Sequence, residues 1–251
     1  MLPPGMMTMT PGMPLGPRLA AIAELVLPWR PLADIGTDHG RLPTALVLAG
    51  RVPWAVACDR SPAPLARARV TVQRAGAADR VQLRLGEGLA PLMPGEVATA
   101  VIAGMGAPTM LAILAADRER TRSLARLILQ PNFGHEQLRR GLSDVGLGLV
   151  EECLVVERGR FHVILVAEPG GAGVQLDDLQ CLVGPHLLRR GGATLQQQLE
   201  QELRRCEREA AGLARAIGAV DPLRRAGQER RRGLLLRALE KLRRQGHPGP
   251  T

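Results

Sequence analysis

The sequence predicts an α/β fold, a doubly wound and mostly parallel sheet followed by a C-terminal helical coiled-coil hairpin. Three observations lead there. Short apolar runs alternate with helix-length amphipathic segments from Arg18 to Val145. Two further apolar runs then follow each other across Arg158-Gly159 with no helix between them, the mark of a closing hairpin. Beyond residue 184 the apolar residues take helical spacing and the charge turns strongly positive.

The elements fall in order. Arg18 to Leu27 reads as a short helix with Leu19, Ile22, Ala23 and Val26 on one face. Leu32–Ile35 is a strand ending in glycine. Leu42–Leu48 is a helix with Pro43 tolerated in its first turn. Trp54–Cys58 is the second strand, Pro64–Ala75 a helix, Val81–Leu85 the third strand. Thr99–Ala103 is the fourth, apolar enough to be buried on both faces. Pro108–Ala115 is a helix, Arg126–Leu129 the fifth strand, Glu136–Val145 a helix. Leu149–Val156 and His162–Ala167 make the antiparallel pair. The expected organisation is a disordered leader at 1–16, a sheet domain at 17–169, a linker at 170–183, a basic helical hairpin at 184–245 and a disordered tail at 246–251. In the hairpin, Leu199, Leu203, Cys206, Ala210, Leu213 and Ile217 keep a 4-3-4-3-4 spacing, the seam of a coiled coil. Gly218 to Pro222 reads as its turn, and Leu235, Leu239 and Leu242 as a second seam. The pattern leaves open whether the seams pair within one chain or between two.

Composition narrows the function. The 251 residues carry a net charge of +9, and the first 183 account for only +1 of it. The last 68 hold 15 basic residues against 7 acidic ones. All the basic residues but Lys241 are arginines, whose planar fork suits phosphate oxygens. A polyanionic partner follows, nucleic acid before membrane. No apolar run reaches the roughly 18 residues of a membrane span, and the leader lacks a basic start and continuous apolar core. A cytoplasmic location is expected. The four cysteines are scattered without a C-x-x-C pair, and the histidines share no ligand spacing, so neither a disulfide scaffold nor a metal site is expected. With no tyrosine and two phenylalanines, an aromatic-platform binder is unlikely chemistry for this chain.

In such a sheet the ligand lies at the carboxyl ends of the strands. The first turn reads Asp34-Ile35-Gly36-Thr37-Asp38-His39-Gly40. Gly36 allows close backbone approach, but Asp38 stands where a dinucleotide fingerprint has its second glycine. Its carboxylate would repel a pyrophosphate, so a ligand with a cationic centre fits better than NAD or ATP; a helix-capping role for Asp38 is the alternative. Asp59 after the second strand can accept from both ribose hydroxyls. Glu87, between Gly86 and Gly88, can accept from an adenine amino group. Ala103-Gly104-Met105-Gly106 follows the fourth strand and would face the transferred group. Gln130-Pro131-Asn132-Phe133 follows the fifth, with Phe133 able to stack on a base or to sit in the core.

Four of these segments carry a resemblance: Ala33–His39, Ile102–Gly106, Leu127–Asn132 and Val166–Glu168, with Gly184-Pro185 and Leu187-Leu188 beyond them. Together they resemble the bacterial tRNA (adenine(22)-N1)-methyltransferases, over about Arg18 to Arg244. The resemblance implies a class I methyltransferase (Rossmann-like) domain, S-adenosylmethionine as cofactor, tRNA as partner and N1-methyladenosine in the D-arm as product. It implies cofactor contacts from Asp34, Gly36, Asp59 and Glu87 and a catalytic acid at Asp38 with His39 beside it; cofactor contacts are also expected from Arg18, Gly88, Ala103, Gly104 and Met105. Ala107 departs from that pattern, where a further glycine is usual. Substrate contacts are expected from Gln130, Pro131, Asn132 and Phe133, and tRNA-backbone contacts from Arg189, Arg190, Arg204, Arg205, Arg224, Arg225 and Arg230–Arg232. A monomer is expected, with a dimer through the heptads as the alternative. Competing functions are a methyltransferase for another RNA site or a protein, and a non-catalytic RNA-binding factor.

Overall fold

The structure, a computed structural model, describes residues 13–170, 175–215 and 221–246. Most of the expected leader, residues 171–174 of the linker, Ile217 and residues 218–220 of the turn, and the tail from 247 lie outside the described residues. The chain divides into two compact units. One holds the residues up to 134 together with 141–170, the other residues 135–140 with those from 175 onward.

The first unit is built on a seven-stranded sheet of order β3-β2-β1-β4-β5-β7-β6. Its strands are β1 (Leu32–Ile35), β2 (Ala55–Asp59), β3 (Val81–Leu85), β4 (Thr99–Gly106), β5 (Arg126–Phe133), β6 (Leu147–Glu157) and β7 (Arg160–Pro169). β1 pairs in parallel with β2 and β4, and β5 extends the parallel run beside β4. Only β7 runs antiparallel, to both β5 and β6. All of β1 is buried, as are Thr99–Ile102 of β4 and Leu127–Leu129 of β5. Such strands have helices or loops on both faces, which is why they are apolar without alternation.

The helices of this unit are α1 (Pro17–Leu25), α2 (Arg41–Leu48), α3 (Pro62–Arg74), α4 (Ala107–Ala116) and α5 (Arg118–Ser123). α1 packs Ile22 and Ala23 into the core, and Arg41 on α2 donates to the Pro14 carbonyl at 2.8 Å. One helix-free link and two departures from expectation have local causes. The link from β3 to β4 contains no α-helix, because Pro91 and Pro94 interrupt it. Arg84 holds that link instead, donating to both Glu96 oxygens at 2.6 and 2.8 Å and to the Pro91 carbonyl. α5 is a helix the periodicity did not signal, started by the Asp117 carboxylate accepting from the Arg120 N–H. β5 runs four residues further than expected and absorbs Gln130–Phe133.

The second unit holds α6 (His135–Gly141, its last residue with the sheet unit), α7 (Asp178–Val183), α8 (Pro185–Arg190), α9 (Ala193–Arg215) and α10 (Pro222–Gly246). The expected helix Glu136–Val145 is cut at Gly141 and followed by a 3-10 turn at Ser143–Val145. α7 lies where a linker was expected. Its start is a capping box, Asp177 accepting from the Gln180 N–H and the Gln180 side chain from the Asp177 N–H. Arg139, almost wholly buried, donates to the carbonyls of Cys181, Leu182 and Val183 at 2.8 to 3.1 Å and so satisfies the last turn of α7. That grip is why 135–140 belong with the helices.

α9 and α10 pair antiparallel within the chain. Arg231 donates to Glu202 at 2.5 Å, and Gln228 meets both Cys206 and Glu209. The seam is Leu195, Leu199 and Cys206 on α9 against Leu234, Leu235, Ala238, Leu239 and Leu242 on α10. Leu203 is only half-buried and Ala210 is exposed, so these two expected seam positions do not join the buried seam.

Arg139→Met should destabilise the chain by about 2–3 kcal/mol, because three carbonyls lose their donor in a buried place. Arg140→Met, on an exposed ion pair, should cost less than about 1 kcal/mol. Urea unfolding followed by circular dichroism distinguishes the two.

Candidate active site

The carboxyl ends of β1 to β4 surround a cavity of about 420 Å³, within the usual range for small-molecule sites. Gly36 lines it after β1, Asp59 and Arg60 at the end of β2, Gly86, Glu87 and Gly88 after β3, and Ala103 to Gly106 at the end of β4. Thr109 and Ile113, one turn apart on α4, complete the wall. Most of the residues expected at a cofactor are therefore brought together. Among the described residues no group of His, Cys, Asp and Glu could hold a metal ion.

Each wall has a backbone reason. The N–H groups of Gly36 and Thr37 both donate to the Cys58 carbonyl, at 2.8 and 3.0 Å, turning the chain over the end of β2. Gly36 has φ +74°, and a Cβ there would lie 2.4 Å from the Met105 methyl, so the loops after β1 and β4 touch. Gly88 has φ +54°, and its Cβ would press on Ile113 at 2.9 Å. Asp59 Oδ1 accepts from the Ser61 N–H at 2.9 Å; Oδ2 makes no hydrogen bond among the described residues.

Asp34 does not line the cavity. It is buried in β1, accepts from the Thr37 hydroxyl at 2.6 Å, and its carboxyl is pushed up to about 6. Burial is the main cause, the Thr37 hydrogen bond and the nearby Arg18 charge opposing it and Asp59 adding to it. Arg18 lies outside the cavity too. It donates to Gln130 Oε1 at 2.6 Å and sits 3.9 Å from Glu157.

Asp38 is exposed and does not cap α2, whose N-cap is Gly40. Asp38 adopts φ +50°, and Arg67 of α3 donates to its Oδ1, with Nε at 3.2 Å. His39 Nε2 lies 3.5 Å from Oδ2. Both stand on the rim of the first turn and not among the cavity walls.

The β5 segment divides sharply. Gln130 and Pro131 are buried, so neither is open to a substrate as expected of them. Asn132 and Phe133 are exposed. Phe133 lies over Gly106, where an added Cβ would meet its ring at 2.2 Å. Phe133 is 62% exposed, which rules out the core alternative.

In the helical unit Arg189, Arg190, Arg204, Arg205, Arg224 and Arg225 are all exposed. Arg205 pairs with Glu209 at 2.8 Å and Arg204 with Glu200 at 4.0 Å. Arg230, Arg231 and Arg232 are engaged by Asp178, Glu202 and Glu207 respectively. Of the cavity walls, Arg60, Thr109 and Ile113 were not legible beforehand. Thr109 and Ile113 share the i, i+4 spacing of a helix face, the one signal they carry.

A parallel sheet with a glycine-lined crevice and acids after successive strands is the architecture of a nucleoside-cofactor methyltransferase domain, and the family described as Methyltransferase domain matches residues 15–165. The tRNA (adenine(22)-N(1))-methyltransferase of Bacillus subtilis is 33% identical over 193 residues, 75% of this chain and 81% of that protein. The chain belongs to the family of bacterial tRNA (adenine(22)-N1)-methyltransferases. The crystal structure of the Bacillus subtilis m1A22 tRNA methyltransferase superposes with a TM-score of 0.75 at 29% identity, covering 92% of this chain and 98% of that one. A Streptococcus pneumoniae chain crystallised in complex with S-adenosyl-L-methionine gives 0.79 at 30%, covering 88% and 98%.

Asp34→Asn tests the cost of the buried acid. The folded carboxyl holds its proton up to about pH 6, the unfolded one only to about pH 4. Wild-type stability should therefore fall as pH rises through this window. At pH 7 the variant should be more stable by about 2 kcal/mol, and at pH 4 the difference should close. Thermal melts at the two pH values read this directly.

Proposed function

We propose that this protein transfers a methyl group from S-adenosylmethionine to N1 of adenine 22 in the D-arm of tRNA. The observation that carries the reading is the cavity at the ends of β1 to β4. Its walls carry glycines in the left-handed region, Gly36 at φ +74° and Gly88 at φ +54°, and two acids, Asp59 and Glu87, stand on it. The base and its position come from the Bacillus subtilis relative's name.

The cavity fits the cofactor. Asp59 Oδ2 would accept from the ribose hydroxyls and Glu87 from the adenine amino group, while Gly36 and Gly104 let the backbone approach the methionine end. Bound there, S-adenosylmethionine supplies an electrophilic methyl on a sulfonium. The residues around it have no proton to remove from the nucleophile, because adenine N1 has a free in-plane lone pair. Methylation leaves a positive charge shared with N6. Asp38 would accept from the N6 amino group as that charge grows, and Arg67 holds its carboxylate in place. The same carboxylate would face the oxygen of guanine and reject it. Phe133, exposed beside the β4 loop, is the stacking surface for a base that has left its pair.

The exposed arginines of the helical unit would grip the tRNA backbone. Arg224 and Arg225 carry this role best, since they form no ion pair among the described residues. A cytoplasmic location goes with that substrate.

A methyl-transfer assay on unmodified transcripts, read by nucleoside mass spectrometry, tests the reading. N1-methyladenosine should form when position 22 is adenine and not when it is guanine. Asp38→Ala should keep cofactor binding and lose about 10²-fold or more in turnover; near-normal turnover would remove Asp38 from the mechanism. Replacing Arg224 and Arg225 together by Ala should reduce the slope of log affinity against log salt by about 1.5. An unchanged slope would move the tRNA contacts elsewhere.

A further inference from the structure

We propose that Asn132 is a positioning residue: its side-chain amide, oriented through Gln130 by Arg18, fixes the Gly104 carbonyl and with it the wall of the cofactor cavity. The proposal rests on the cofactor reading of that cavity.

The need for such a brace starts with Pro131. Proline has no N–H to give to a ladder. Pro131 stands opposite Met105, and the register between β4 and β5 shifts on both sides of that pair. Gly104 and Asn132 are the two residues left without ladder partners. Gly104 is exposed at φ +79°, with nothing within 4 Å of the place of a Cβ. Its carbonyl has lost its strand donor, and Asn132 Nδ2 donates to it at 2.7 Å.

An amide can turn over and present oxygen instead of nitrogen. Here its orientation is set from a distance. Gln130 and Asn132 are two apart on one strand and share a face. Gln130 is fully buried. Its Oε1 accepts from Arg18 Nη1 at 2.6 Å, and a guanidinium cannot accept. The nitrogen of Gln130 must therefore point the other way, where it donates to the Pro131 carbonyl at 3.0 Å and faces Asn132 Oδ1 at 3.5 Å. The oxygen of Asn132 is thereby turned toward Gln130 and its nitrogen toward Gly104. A donor-only residue on α1 thus fixes the polarity of two amides and reaches the cavity wall on β4.

Binding of S-adenosylhomocysteine to the full chain, measured by calorimetry, tests this without any tRNA. Asn132→Asp keeps the shape and removes the donor; Asn132→Leu does so without charge. Gln130→Glu keeps the contact to Arg18 and removes the donor to Asn132. Each should weaken binding by about tenfold, the effect of losing one hydrogen bond that holds the cavity wall. Asn132 is exposed, so the melting temperatures of its two variants should stay near wild type. If Asn132→Asp and Asn132→Leu bind within about twofold of wild type, the amide has no positioning role. If Gln130→Glu alone binds normally, Asn132 acts without the relay and that part of the proposal fails. A wild type that does not bind would overturn the cofactor reading and this proposal together, an outcome distinct from variants that match a binding wild type.

Discussion

The pairing of β1 with β2 on one side and β4 on the other organises everything else in the sheet unit. Chain connections leave β1 toward one edge and return past it toward the other, so the loops after β1 and β4 diverge and a crevice opens between them. Parallel pairing puts the ends of β1, β2, β3 and β4 on one side of the sheet. Asp59, Glu87 and the glycines of three different loops meet there, though they are far apart in the chain. Met105 lies against Gly36 across the crevice, and the φ of +74° at Gly36 favours glycine there.

The helical unit answers a different constraint. Its helices share a buried seam, Leu195, Leu199 and Cys206 of α9 with Leu234, Leu235, Ala238, Leu239 and Leu242 of α10. Ion pairs flank that seam: Arg231 with Glu202, Arg232 with Glu207, Arg140 and Arg230 with Asp178. The positive excess is therefore not all available to a ligand. The arginines that do structural work lie along the α9–α10 contact and around α7, while Arg224 and Arg225 stand outside it.

Apolar runs and helix spacing made the parallel strands legible, since β1 and β3 have the bounds their sequence implies. What they could not show was polar and long-range. α7 announces itself only through Asp177 and Gln180, a capping pair within a stretch whose glycines read as linker. The Arg84–Glu96 pair spans a helix-free loop and has no periodic signature. The site acids were legible because each lies in or just after the end of a strand, but their exposure was not: Asp34 is buried, and Asp38 is exposed and paired with Arg67. Gln130 and Asn132 read alike in sequence, two polar residues beside a proline. The two-residue strand period sets them on one face, yet only the sheet register decides that one is buried and the other exposed.

The near-exclusive use of arginine has a chemical consequence. A guanidinium stays charged far above any physiological pH, and enzymes that acylate amines do not act on it. The only lysine is Lys241, exposed on α10. Acylation can thus erase at most one side-chain charge from this chain. Whatever grip the basic helices have on a polyanion is fixed at synthesis and lies beyond the lysine modifications by which other basic surfaces are turned down.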